Sequence, residues 1–241
     1  TGRSIPLVGW LCAADGLSLA DSRRLMNPEL LDKVLSCKKL PSLPAVALRV
    51  IELSQDKNVS FKELADTITN DIGLASKVLR TVNSSFYSLR KPCGSINQAI
   101  VMLGLSAVKT LALGFSLVDN ISKIESQGFD LPTYWRRTLI SGIAAKCIAV
   151  EAKVGNDEEC FLGGLLQDVG VVAFFVALGE EYTAVMAEAK GDHSQLGKHE
   201  LSVFGLSHAE LGAHLATRWK LPLELIMPIR YHERSTASPP E

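Results

Sequence analysis

The chain offers no surplus of positive charge to a phosphate backbone: 25 Lys and Arg stand against 26 Asp and Glu, a net charge of -1. Proteins that grip nucleic acid through its backbone carry clustered basic charge. No aromatic stacking motif for single strands replaces it, so nucleic acid is not an expected partner. A disulfide framework is also missing. The five cysteines, Cys12, Cys37, Cys93, Cys147 and Cys160, are odd in number and no two have C-x-x-C spacing. That argues against bridges and zinc knuckles, and for reduced thiols in the cytoplasm. Alternating strand patterns, an Asn-Gly hairpin turn, low-complexity segments and fixed-period repeats are absent too, so the expected fold is all-α.

A membrane anchor is not expected either. The apolar run 5–14 is too short to span a bilayer. The run Phe161–Gly179 is nearly long enough, but Gln167 and Asp168 lie near its middle. A mid-bilayer Asp costs roughly 2.5–3.5 kcal/mol even on the lenient insertion scale. The run reads as one helix buried on all sides inside a protein.

What is present is 47% hydrophobic and 21% charged residues, enough to fold without staples. Residues 1–28 lack periodicity and read as a leader or arm. Thr1 in place of Met, and the end in Ser-Pro-Pro-Glu, suggest a piece of a longer chain. Helical punctuation then begins. Leu30, Leu31, Val34 and Leu35 mark a helix from Glu29 to Leu40, stopped by Pro41. A second helix opens at Pro44, where a first-turn proline loses little. Ser60 with Glu63, Ser95 with Gln98, and Asn156 with Glu159 have capping-box spacing. Asp71 caps a helix through Leu74 and Val78. Gly104 stops one helix before another from Ser106. After a break at Gly128–Pro132 come helices over Thr133–Lys153, Glu180–Ala189, Leu196–Val203 and Ser207–Lys220, and a short one after Pro222.

Asp168 is the unusual residue of the apolar run, because a buried carboxylate is costly unless paired or bound to metal. The plain reading is an Asp that caps or bridges neighbouring helices. His208, Leu211, Leu215 and Trp219 fall on one helical stripe, which places His208 on an apolar face. His214 points elsewhere.

Several landmarks in order resemble the HDOD family, relatives of the HD-type metal-dependent phosphohydrolases. They are Leu40-Pro-Ser-Leu-Pro44, Asn70-Asp-Ile-Gly-Leu-Ala-Ser-Lys-Val-Leu-Arg80, Val82-Asn-Ser-Ser-Phe86 and Ser95–Gly104. Trp135, Gly164-Leu-Leu-Gln-Asp-Val-Gly170, Phe204-Gly-Leu-Ser-His208 and Trp219-Lys-Leu-Pro222 complete the set. The resemblance covers about residues 29–234. It implies two packed helical halves, 29–128 and an HD-like 129–234, followed by a tail at 235–241.

The resemblance also implies where a metal site would lie and how this one departs from it. Arg137 takes the place of an early ligand His, and Gln167 that of the His in the His-Asp pair. Tyr231-His232 stands where two histidines are common. Asp168, His208 and His232 remain. The expectation is a vestigial pocket of Arg137, Gln167, Asp168, His208 and His232, with no catalytic residues, no metal and no cofactor. A fixed guanidinium charge beside the site would repel a cation and pair with the acid instead, so Asp168 is expected to be buried and paired with Arg137 or His208. The implied function is a non-catalytic bacterial signalling module, often joined to domains such as diguanylate cyclases. It would bind other signalling proteins or domains, or a small nucleotide-like ligand. The alternative is a phosphohydrolase or phosphodiesterase with Asp168, His208 and His232 as atypical metal ligands.

Overall fold

The structure is a computed structural model that describes residues 27–40, 44–55, 60–85, 87–121, 128–153 and 157–233. Most of the expected leader, the Asn156 cap, Pro41, Cys12 and the tail 235–241 lie outside these residues. Among the described residues there are thirteen helices and no strand, as the missing alternation predicts.

The N-terminal half holds α1 (Pro28–Leu35), α2 (Ala45–Gln55), α3 (Phe61–Thr69), α4 (Ile72–Val82), α5 (Ile96–Leu103) and α6 (Leu105–Ile121). Their starts follow the side chains that satisfy orphan N–H groups. Ser60, Asp71 and Ser95 accept from the amides of Glu63, Leu74 and Gln98. Gly104 closes α5 at a φ of 87°, which a side chain would resist. α6 is the spine here, packed against α2, α3, α4 and α5. α1 departs from expectation: it is capped by Asn27 and ends at Leu35, not Leu40. It lies against a helix of the other half, with its Cys37 flank beside the Val176 carbonyl and Arg218 bonded to the Leu35 carbonyl.

The C-terminal half comprises α7 (Leu131–Ala152), α8 (Asp157–Leu166), α9 (Val169–Leu178), α10 (Glu180–Glu188), α11 (His193–Phe204), α12 (His208–Arg218) and α13 (Leu223–Tyr231). α7 and α8 cross closely at Gly142 and Gly164. A Cβ on Gly164 would lie 2.8 Å from the Ser141 carbonyl and 2.9 Å from Gly142 Cα. α9 meets α12 in the same way: a Cβ on Gly170 would fall 1.9 Å from the His208 carbonyl.

The single helix expected over 161–179 is two. α8 ends at Leu166, and α9 starts after Asp168, whose φ of -96° and ψ of 15° turn the chain. Both pieces are buried, and 72% of the most apolar window within Asp157–Leu178 is covered by protein. By composition alone that stretch is apolar and long enough to cross a membrane. The bend exists because two straight helical turns through Asp168 would bury its carboxylate among apolar neighbours, whereas the turn aims it at partners.

The halves join chiefly where α6 packs on α8 and α1 on α9. Lys109 of α6 stands 3.9 Å from Glu159 of α8. Beside this seam is a cavity of about 340 Å³, lined by Ile51, Lys109, Thr110, Glu159, Leu162 and Glu224 among others. The Thr110 hydroxyl is buried there without a hydrogen-bond partner.

Candidate functional site

The bend at Asp168 delivers a carboxylate with no solvent exposure to the side of α7 and the ends of three other helices. Its Oδ2 accepts from Arg137 Nε of α7 at 3.1 Å. Its Oδ1 lies 3.0 Å from His193 Nε2 at the start of α11, 3.3 Å from His232 Nε2 just past α13, and 3.6 Å from His208 Nε2 at the start of α12. The three imidazoles and the carboxylate offer ligand atoms all within 4.8 Å of one another. Burial alone would raise the Asp168 pKa. Hydrogen bonds from His193 and His232, with the charges of His193 and Arg137, overcome that and hold the carboxyl well below the usual range.

A layer outside these residues fixes the rings. Glu200 of α11, itself fully buried, accepts from Tyr182 Oη at 2.5 Å, from the His208 backbone N–H at 2.6 Å, and faces His208 Nδ1 at 2.7 Å. Burial would lower the His208 pKa, but the bond to Glu200 and the charges of Glu200, Glu233 and Asp168 raise it overall. His232 Nδ1 faces the Ile229 carbonyl at 2.8 Å. A carboxylate and a carbonyl only accept, so both Nδ1 atoms carry hydrogen. Each Nε2 then turns inward toward Asp168, and the two stand 3.2 Å apart. Such a pair is stable only with a proton or a cation between them. Imidazoles whose Nδ1–H groups are held by a carboxylate or carbonyl, with Nε2 turned inward, form the arrangement that orients metal ligands.

Four of the five residues named from the sequence therefore meet: Arg137, Asp168, His208 and His232. Gln167 does not. Its side chain turns back to Ser141 Oγ, 3.3 Å away. His193, Glu200 and Tyr182 escaped sequence reading: the helix was expected to begin at Leu196, which left His193 outside it, and nothing local marks Glu200 or Tyr182 as facing the site. Asp192 held the signal. Its carboxylate caps α11 through Ser194 N, which places His193 in the first turn. His214 stays outside the cluster, half-buried on α12.

The HDOD domain family matches residues 40–235, most of the chain. This chain belongs to the HDOD family. An HDOD domain protein from Geobacter sulfurreducens superposes with a TM-score of 0.76 at 29% identity, covering 89% of this chain and 73% of that one. A Shewanella amazonensis protein, provisionally named a phosphohydrolase, gives 0.70 at 25% identity, covering 86% and 73%. An uncharacterized protein of Treponema pallidum is 27% identical over 211 residues, 84% of this chain. The HDOD chain spans only 39% of that relative's length.

The donor set fits the metal that an HD-type ancestry implies. Asp168, His193, His208 and His232 are imidazole and carboxylate ligands suited to a divalent first-row ion. The second oxygen of Asp168 is occupied by Arg137, so a bridging role between two ions is closed to it. An ion that kept an open coordination position there would act as a Lewis acid or polarise a water. The chain's own residues hold the rings, exclude solvent from His208 and neutralise one side of Asp168.

Proposed function

We propose that this HDOD domain is a non-catalytic, cytoplasmic signal-transduction module that binds a partner protein, a neighbouring domain or a small ligand. The observation that carries the reading is the Arg137–Asp168 pair at 3.1 Å. Where the resemblance places an early ligand His, a permanent cation instead takes one oxygen of the remaining acid. With Gln167 turned away as well, two of the positions that hold an activated water in HD enzymes are spent. The cavity between α6 and α8 supports a ligand role: small-molecule sites favour junctions between helical units, and the unpaired Thr110 hydroxyl supplies a polar contact point. The described cysteines, Cys37, Cys93, Cys147 and Cys160, are free thiols, which supports a reducing compartment.

The second reading, a metal-dependent phosphohydrolase with atypical ligands, is favoured by the inward-facing Nε2 pair. Phosphomonoester and phosphodiester assays, run on protein loaded separately with zinc, manganese or iron, divide the two. The non-catalytic reading expects no turnover above a protein-free control. Turnover that scales with protein and disappears in Asp168→Ala would overturn it.

A further inference from the structure

We infer that Asp168, His193, His208 and His232 form a closed, four-ligand site for one divalent transition-metal ion, in which His193 supplies a ligand from outside the family's motif positions. The inference deepens the non-catalytic reading by naming the ligand of its site, and rests on that reading for the lack of an open coordination position.

The distances carry it. Tetrahedral zinc–imidazole bonds of roughly 2.0–2.1 Å separate neighbouring donor atoms by about 3.3 Å. The separations here are 3.0 Å for His193 and Asp168, 3.3 Å for His232 and Asp168, 3.6 Å for His208 and Asp168, and 3.2 Å for His208 and His232. Four edges of a tetrahedron are thus already near their metal-bound lengths. Two rings are locked with Nε2 inward by Glu200 and Ile229. His193 Nδ1 is buried with no partner, so its ring is the adjustable one. Arg137 lies on the far oxygen of Asp168, where it offsets the acid's charge without standing among the nitrogens. Structural metal sites are closed, whereas catalytic ones keep a position for water. Four protein donors leave none, and the site would tie α9, α11, α12 and the end of α13 together.

The test strips the 241-residue protein with chelator and titrates it with Zn²⁺ and Co²⁺. One ion per chain is expected by elemental analysis, with the intense visible absorption of tetrahedral Co²⁺. His193→Ala and His193→Gln, whose side chain is only partly buried, should remain folded by circular dichroism and lose at least tenfold in affinity. No ion in the wild type, a six-coordinate Co²⁺ spectrum, or full affinity in both folded variants would overturn the proposal. Should both variants misfold, the wild-type stoichiometry and spectrum decide alone. Metal with hydrolysis would sink the non-catalytic reading and leave the ligand set standing. Neither metal nor hydrolysis would do the reverse.

The outward face of α7 carries a second, independent inference. Leu139, Ile140, Ile143, Ile148 and Val150 are 39–66% exposed, and Arg136, Cys147 and Glu151 share the exposed side. Arg136, Ile140, Ile143, Cys147 and Val150 recur at spacings of four and three, a continuous helical stripe. Its charges are opposite and sit at opposite ends. An antiparallel copy would bring each Arg136 within about a turn of the other chain's Glu151. We propose that this face pairs two copies of the chain about a two-fold axis. Sedimentation equilibrium should show a dimer. Arg136→Glu and Glu151→Arg should each weaken it, and the two changes together should restore it. A monomer at all concentrations, or a dimer indifferent to these changes, would overturn the pairing.

Discussion

The two halves bury different things. In the N-terminal half the buried polar side chains are hydroxyls, Thr110 and Ser116; in the C-terminal half they include Glu158, Asp168, Glu200 and His208. Every buried carboxylate and imidazole among the described residues lies in the second half. The helices differ in kind as well. α3 buries Leu64, Ala65 and Ile68, and α4 buries Leu74, Val78 and Val82, each on one stripe. α9 buries eight of its ten residues. The first half is built to pack. The second combines an apolar interior with charges that must be matched there, and it carries the candidate chemistry.

The comparison is sharpened most by Asp168→Ala. Removing one member of a buried charged group strands the others and should cost about 3–5 kcal/mol, read as a large fall in urea midpoint. A melting curve like that of wild type would break the contrast between the halves. Gly170→Ala comes next. Its Cβ would collide with the His208 backbone, and overpacking of this kind typically costs about 1–3 kcal/mol. Because α9 and α12 would part, the mutant should also bind metal less tightly.

A smaller effect probes the seam between the halves. The Tyr87 ring lies near Lys146 Nζ, 5.9 Å from the centroid, and burial, then Glu158 and Asp157, push its pKa up to about 12. In the unfolded chain it would ionise near 10. Between those values unfolding releases a proton, so stability falls as pH rises. Tyr134 and Tyr182, fully buried, are pushed higher still. Tyr87→Phe should therefore lose stability less steeply with pH than wild type above pH 10, in urea titrations across that window. At the small end stands Arg49→Ala in α2. Arg49 pairs with Glu52 and Glu63 on the surface, where solvent and salt screen the charges and the loss should be barely measurable. A loss as large as that of Asp168→Ala would place a load in the first half that its burial pattern does not show.

Much of the fold was legible because caps, glycine stops and apolar stripes act within a few residues of themselves. Ser60, Asp71, Ser95 and Ser207 start helices where expected, and Ser207 completes a reciprocal capping box with Glu210. The bend at Asp168 was not legible. The run 161–179 has no polar face to show where a helix turns, and only the need to direct one carboxylate breaks it. The candidate site divides in the same way. Asp168, His208 and His232 stand in recognisable surroundings, and pairing of Asp168 with Arg137 followed from charge and ancestry. His193 is separated from Asp168 by 25 residues of chain, and Glu200 has no local mark of burial.

The sequence by itself determined an all-helical chain, the starts of most helices, and an acid that had to find a partner. The tertiary structure decided which partners: Arg137 on one oxygen and three imidazoles around the other, with Glu200 and Ile229 fixing two of those rings. Local hydrogen bonds and side-chain periodicity act over one or two turns, so they can be read along the chain. A ligand set depends on distances between helices that are far apart in sequence, and only their packing sets those distances.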